Sequence, residues 1–243
     1  MTLKDILVIG ESCRDVFIYC ESERLCPDVP VPVLNVLSQI ENGGMAKNVE
    51  RNILQYKNCN ILTNKNWHDI TKTRYVHQKT NHMFFRVDSF YTIPKINLSE
   101  IDLNYKLIVI SDYNKGFLSE NDISYICNSH KNVFLDTKKV LGDWASGAKF
   151  IKINNFEYKK SEKFITENLS NKIIHTIGGD GCIFQKKIYP VNTVDVKDTS
   201  GAGDSFMAAL VVKYIDTENI KESIEFANKC ACEVVKHRGV TTI

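Results

Sequence analysis

The residues best suited to chemistry stand together late in the chain. They are Asp198-Thr199-Ser200-Gly201-Ala202-Gly203-Asp204, followed at once by the apolar run 206–212. Small residues with two glycines let a backbone turn approach a bulky anion closely. The run behind them reads as a buried helix. Its first amides lack intrahelical acceptors and point back into the turn, where the helix dipole also favours negative charge. Asp204 adds a carboxylate in the first helical turn. An anion cradle beside a base is the equipment for moving a phosphoryl group onto an alcohol. By itself, a glycine-rich turn entering a helix is more often structural, so the elements around it must supply the partners.

With 243 residues the chain can bury a sizeable core as one domain. Its formal charge of +2 and the lack of a long basic run argue against nucleic acid or an anionic membrane as the main partner. The eight cysteines include no CxxC pair, and Cys230 and Cys232 fall within a helical pattern, so they read as free thiols of a reducing compartment. No apolar stretch reaches the length of a membrane span, and Ile6-Leu7-Val8-Ile9 is too short for a signal-peptide core. A soluble, cytoplasmic protein is expected.

Ile6–Gly10 reads as a strand buried on both faces, with Glu11 and Asp15 just past its end. Residues 16–20 and 33–37 read as strands joined by the proline-rich connector Arg24–Val33, and 74–78 with 83–88 as a hairpin. Together, 16–38 and 74–88 are expected to form a small sheet outside the main one. His77 and His82 lack a partner at metal-ligand spacing. Gly43-Gly44 is expected to open a helix running to about Tyr56, with Asn48 in its first turn. From residue 106, strands at 107–110, 133–136, 150–153 and 173–177 alternate with helical stretches and carry polar or glycine residues at their carboxyl ends. That alternation predicts an α/β fold with a doubly wound, mostly parallel sheet. A last helix is expected over 220–237, closed by Gly239.

The string Asp198–Asp204 matches the D-T-x-G-A-G-D signature without departure, and the chain resembles the ribokinase-like (PfkB-type) carbohydrate kinases. Within them it is most similar to bacterial heptose 7-phosphate kinases, through Arg24–Val33, Ser111-Asp112-Tyr113 with Lys115-Gly116, Asp136 with Lys138, and the ending 227–242. The resemblance implies one kinase domain over 1–243, with the small sheet as a lid, and ATP and Mg²⁺ as cofactors. It makes Asp204 the base and Gly201, Ala202 and Gly203 the cradle of the transferring group. Asn154 and Glu157 match N-x-x-E, which orders magnesium and phosphate, the carboxylate acting through water. Thr176, Gly178 and Gly181 match a nucleotide loop, and Asn228 falls beside the base of the nucleotide. Asp15, Gly43, Gly44 and Asn48 match the sugar grip. Asp198 and Ser200 lie where some relatives bind a monovalent cation, K⁺. If the acceptor already carries a phosphate, Arg86, Lys115 and Lys138 are the candidates to meet it, with Arg24 next. Relatives pair through such lids, so a homodimer is expected.

Departures bear on the acceptor. Glu11 stands where many relatives have Asp, the Gly43–Asn48 spacing fits ribokinase better than heptose kinases, and the chain is short, 57–73 lacking a βα unit and 158–172 being compressed. The expected reaction is phosphorylation of the anomeric hydroxyl of a heptose 7-phosphate. The alternatives are another sugar or nucleoside as acceptor, or a catalytically silent nucleotide-binding relative. An oxidoreductase is disfavoured because no GxGxxG follows the first strand.

Overall fold

The computed structural model describes residues 4–243. In chain order the elements are β1 (Lys4–Gly10), β2 (Ser12–Glu21), β3 (Asn35–Met45), α1 (Ala46–Ile53), β4 (Cys59–Leu62), β5 (Thr71–His77), β6 (Met83–Asp88) and β7 (Tyr105–Asp112). There follow α2 (Glu120–Ser129), β8 (Val133–Thr137), β9 (Phe150–Asn154), α3 (Asn155–Ser161), α4 (Glu167–Ser170), β10 (Ile173–Thr176), β11 (Cys182–Phe184), β12 (Lys187–Tyr189), α5 (Ala202–Thr217) and α6 (Ile220–Val234).

Eight strands form the main sheet in the order β12-β11-β10-β9-β8-β7-β1-β4, and every pairing from β10 to β4 is parallel. The central strands are continuous apolar runs because both faces are covered. Ile6 and Val8 of β1, with Leu107 and Val109 of β7, face a core shared with α1, α5 and α6. Leu7, Ile9, Ile108 and Ile110 face a second core that includes Ile123 and Ile126 of α2. Helix α5 is buried from Asp204 to Val212, which is why its sequence carries almost no polar stripe. No helix among the described residues is long and apolar enough to cross a membrane.

The lid is a separate four-stranded sheet, β3-β2-β5-β6. It is larger than the expected 16–38 and 74–88, since β2 begins at Ser12 and β3 runs to Met45. Gly43 and Gly44 therefore end a strand instead of opening a helix. Helix α1 starts at Ala46, after Met45 takes a φ of 61°, and stops at Ile53. Two further expectations change. Helix α6 ends at Val234, so Gly239 lies beyond it, and its amide donates to Asp198. The antiparallel pair β11–β12 extends the sheet edge, where the short apolar segments 182–184 and 187–189 are too brief to give a clear period.

The lid is fastened at its far end. Asn81, at the β5–β6 turn with φ 59°, donates to the Lys197 carbonyl at 3.1 Å. Arg238 donates to the carbonyls of Gln78 at 2.8 Å and Lys79 at 2.6 Å. Phe17, Tyr19 and Val76 pack with Val240 beneath the sheet.

Candidate active site

Helices α2, α3 and α6 each carry a side-chain cap, whereas no side chain caps α5. Its N-terminal amides are left facing the turn 198–203. Gly201 takes a φ of 79°, and a Cβ there would lie 2.9 Å from Asn48 Nδ2. Both conformation and space thus require glycine. A Cβ on Gly203 would meet Lys152 Nζ at 3.0 Å, so this glycine keeps a buried ammonium close to the turn.

Asp204 is buried at the start of α5 and holds two donors. Asn48 Nδ2 donates to Oδ2 at 2.9 Å, and the Tyr113 hydroxyl donates to Oδ1 at 2.7 Å. Burial raises the Asp204 pKa above the ordinary carboxylate value, and the two hydrogen bonds oppose that rise. A carboxylate placed this way is a stronger base than a free aspartate. It reaches the site because α1 packs against α5 and presents Asn48 from its first turn.

Next to it opens a cavity of about 740 Å³, lined by Gly201, Ala202, Gly203 and Asp204 together with Asn154, Thr176, Gly178, Gly181 and Asn228. Every nucleotide-side residue expected from sequence except Glu157 borders this one space. Gly181, at φ 91°, passes so close to β12 that a Cβ would clash with the Tyr189 carbonyl, and Asn228 donates to that same carbonyl at 2.8 Å. Val194, Ala231 and Val235 add apolar lining to the same cavity.

Asn154 and Glu157 form a capping box at the start of α3. The Asn154 side chain accepts from the amides of Phe156 and Glu157, and Glu157 Oε2 accepts from the Asn154 amide at 2.8 Å. Lys138 reaches the other oxygen of Glu157 at 2.5 Å. Lys138, expected to meet an acceptor phosphate, thus lines the cavity beside Glu157, and Asp136 of β8 lies 3.7 Å from the same ammonium. Burial lowers the Lys138 pKa, but Asp136 and Glu157 together hold it above the ordinary lysine value. Lys152, 3% exposed and absent from the sequence reading, pairs with Asp136 Oδ2 at 2.7 Å and lines the cavity. Burial pushes Asp136 up, yet its two lysines bring it below the usual carboxylate value. The signal for Lys152 was its place two residues before Asn154, on the same face of β9. Asp136 Oδ1 is buried without a hydrogen-bond donor. Among the described residues no group of three or more His, Cys, Asp or Glu side chains could hold a metal by themselves.

Asp198 and Ser200 shape the turn. Asp198 accepts from the amides of Ser200 at 2.8 Å and Gly239 at 3.0 Å, and its oxygens are thereby committed to N–H donors.

Of the residues expected on the acceptor side, Asp15, Gly43, Gly44 and Arg86 are part of the lid itself. Asp15 is ion-paired with Arg74 of β5. Gly44 pairs with Cys13 on β2, where a Cβ would also come within 3.1 Å of Asp15 Cβ, while Gly43 sits one residue earlier, against Lys47. Arg86 is held bidentately by Asp88. Lys115 is exposed and Arg24 lies out on the connector. Glu11 is fully buried and accepts from the amides of Tyr113 and Lys115, both at 2.8 Å, so it fastens a loop instead of gripping a sugar. Its extra methylene supplies the reach.

Sequence reasoning missed Lys72. It is 8% exposed, and its ammonium meets Met45 Sδ at 3.1 Å and the Tyr113 ring at 5.5 Å, with no ion pair among the described residues. Burial lowers its pKa and Arg86 and Lys115 add to that, while Cys13 and Asp88 oppose it. The alternation of β5 puts Lys72, Arg74 and Val76 on the covered face, which was the available clue.

Bifunctional protein HldE of Helicobacter pylori is 28% identical over 301 aligned positions, covering 98% of this chain and 64% of that protein. The HldE of Nitratiruptor is likewise 28% identical, over 98% of this chain and 62% of the relative. The chain thus spans less than two thirds of the length of these relatives. Among solved structures, a ribokinase from Thermotoga maritima superposes with a TM-score of 0.73 at 17% identity, covering 98% of this chain and 95% of the other. Arabidopsis thaliana ribokinase complexed with ribose and ATP gives 0.69 at 11% identity, covering 98% and 94%. Residues 119–243, more than half of the chain and containing the uncapped helix with its turn, match the family described as pfkB family carbohydrate kinase, and the chain belongs to that family.

Proposed function

We propose that this chain is an ATP- and magnesium-dependent kinase that phosphorylates the anomeric hydroxyl of heptose 7-phosphate, giving the 1,7-bisphosphate. The observation that carries the acceptor's class is Lys72. Its nearly buried ammonium touches a sulfur atom and a ring, while the cross-strand carboxylates Asp15 and Asp88 are taken by arginines, and such a charge is costly unless an anion completes it. Arg86 and Lys115 add positive potential around it, as a phosphorylated acceptor would require.

The geometry supports the following roles. The triphosphate would lie along the cavity, its end between the α5 amides, Lys152 and Lys138. Both lysines are already held by carboxylates, so they are oriented before the nucleotide arrives. The acceptor would lie under the lid with its phosphate toward Lys72 and its reacting hydroxyl at Asp204. Asp204 takes the hydroxyl proton, the oxygen attacks the terminal phosphorus, and the amides of Gly201–Gly203 hold the oxygens as charge moves onto the leaving ADP. Magnesium would neutralise phosphate charge, held by phosphate oxygens and by water near Glu157 and Asp136, which suits an ion that keeps much of its hydration. The lid excludes water from this reaction. Its exposed Val36, Leu37 and Ile40 on β3 and Met83, Phe85 and Val87 on β6 offer the surface for a second copy.

An ADP-release screen across paired sugars and sugar phosphates, heptose 7-phosphate included, tests the proposal. Turnover with heptose 7-phosphate at least about tenfold above any unphosphorylated sugar is expected, the discrimination one charge-assisted contact supplies. Preference for a plain sugar or a nucleoside would replace the acceptor, and no acceptor-dependent ADP at all would favour a silent relative.

A further inference from the structure

Tyr113 is the only described side chain other than Asn48 that hydrogen-bonds Asp204, and it does so from an unusual position. Its ring stands between the two halves of the cleft, with Lys72 Nζ 5.5 Å from its centre and Lys138 Nζ 5.4 Å from it. Its hydroxyl is directed at the oxygen of Asp204 beside the phosphate turn, and the residue borders the nucleotide cavity. The loop carrying it is not a loose flap. Glu11 holds the amides of Tyr113 and Lys115, Asp112 accepts from the Asn114 amide at 3.1 Å, and Lys139 bridges Asp112 and Asn114. The backbone is therefore fixed, and only rotation of the tyrosine side chain is available to move the hydroxyl.

The donated O–H of Tyr113 is chemically what an acceptor presents: a hydroxyl giving its proton toward Asp204. Resting on the kinase reading above, we propose that Tyr113 is a positioning residue that occupies the acceptor's place on Asp204 in the empty enzyme and yields it when the sugar hydroxyl arrives. While the tyrosine holds Oδ1, a water molecule cannot take that place. Water there would give its proton to Asp204, bond to the terminal phosphorus and release ADP and inorganic phosphate. An entering acceptor brings its own contacts with the lid and displaces the phenol; water brings none. The site thereby separates transfer from hydrolysis before the lid's exclusion of water counts.

Tyr113→Phe keeps the ring between the two lysines and removes only the hydroxyl. ADP release with ATP and magnesium but no acceptor is expected to rise at least about tenfold, the kinetic equivalent of one hydrogen bond to a charged group. The rise must vanish in the Tyr113→Phe/Asp204→Asn double variant. A second reading comes from the pH profile of acceptor-free hydrolysis. A hydrogen bond to the carboxylate lowers its pKa, so losing the hydroxyl should move the acid limb to higher pH. Hydrolysis unchanged or lowered in Tyr113→Phe, or raised equally in the double variant, overturns the proposal. Failure of the kinase reading would appear elsewhere, as a wild-type enzyme that no sugar stimulates; the acceptor-free comparison still decides the role of Tyr113.

Discussion

On the sheet side of Tyr113 the buried Lys152 and the half-buried Lys138 have carboxylates of their own: Lys152 has Asp136, and Lys138 has Glu157. On the lid side Arg74 and Arg86 take Asp15 and Asp88, the two carboxylates opposite Lys72 on the neighbouring strands, so among the described residues the buried Lys72 has no ion pair of its own. The first half is complete before any ligand comes. Its lysines are placed by the ends of parallel strands, and on the proposed reading the nucleotide would find them in position. The second half is left one anion short, so an acceptor that supplies this charge relieves a standing cost. Affinity for the nucleotide should thus be a property of the scaffold, and selectivity for the acceptor a property of one uncompensated residue.

The contrast can be broken hardest at the point where the halves meet. Asp204→Asn should lower acceptor-dependent turnover by about 10²–10⁴-fold while leaving nucleotide binding, followed by calorimetry, intact. Unchanged turnover would remove the base and dissolve the boundary between the two sides. Lys72→Met is the test of the lid half alone. It should raise the Michaelis constant for a phosphorylated acceptor by about 10–100-fold, with no matching change for ATP or for the unphosphorylated sugar. An equal loss on both acceptors would mean that Lys72 serves the lid's packing. The smallest effect is expected at the fastening. Arg238→Ala removes two hydrogen bonds to carbonyls and should lower the melting temperature by roughly 2–4 °C, with the acceptor's Michaelis constant rising and nucleotide affinity unaltered. A shift in nucleotide affinity would show that the lid and the cavity are not separable.

The same contrast explains what could be read from the chain. The nucleotide half is written in contiguous strings: Asp198–Asp204, Asn154–Glu157 and Thr176–Gly181 each lie on one turn, so spacing along the sequence is nearly spacing in the fold. Asn228 was implied by the family resemblance of the last helix. The acceptor half depends on side chains that meet across β2, β3 and β5, where Asp15 faces Lys72 in register but pairs with Arg74. No linear spacing states that preference. Lys138 follows the end of β8, and no linear spacing states that its ammonium reaches Glu157. Glu11 looked like a modified sugar ligand, since a strand end is where ligands gather. The two amides that claim it lie some hundred residues away, in the loop after β7. The extended β2 and β3 were cut short in the reading because Gly43-Gly44 resembles a helix entry, and the strand's pairing with β2 overrides it.

The lid's fastening has one more consequence. Arg238 and Asn81 hold the carbonyls of Gln78, Lys79 and Lys197, and every residue at those three positions would offer the same oxygen. Substitutions in the hairpin turn can therefore accumulate without loosening the closure, whereas the two donors have no such freedom. Over the history of such a protein the tip of the lid should drift in composition, recording neutral change, around two residues that stay put.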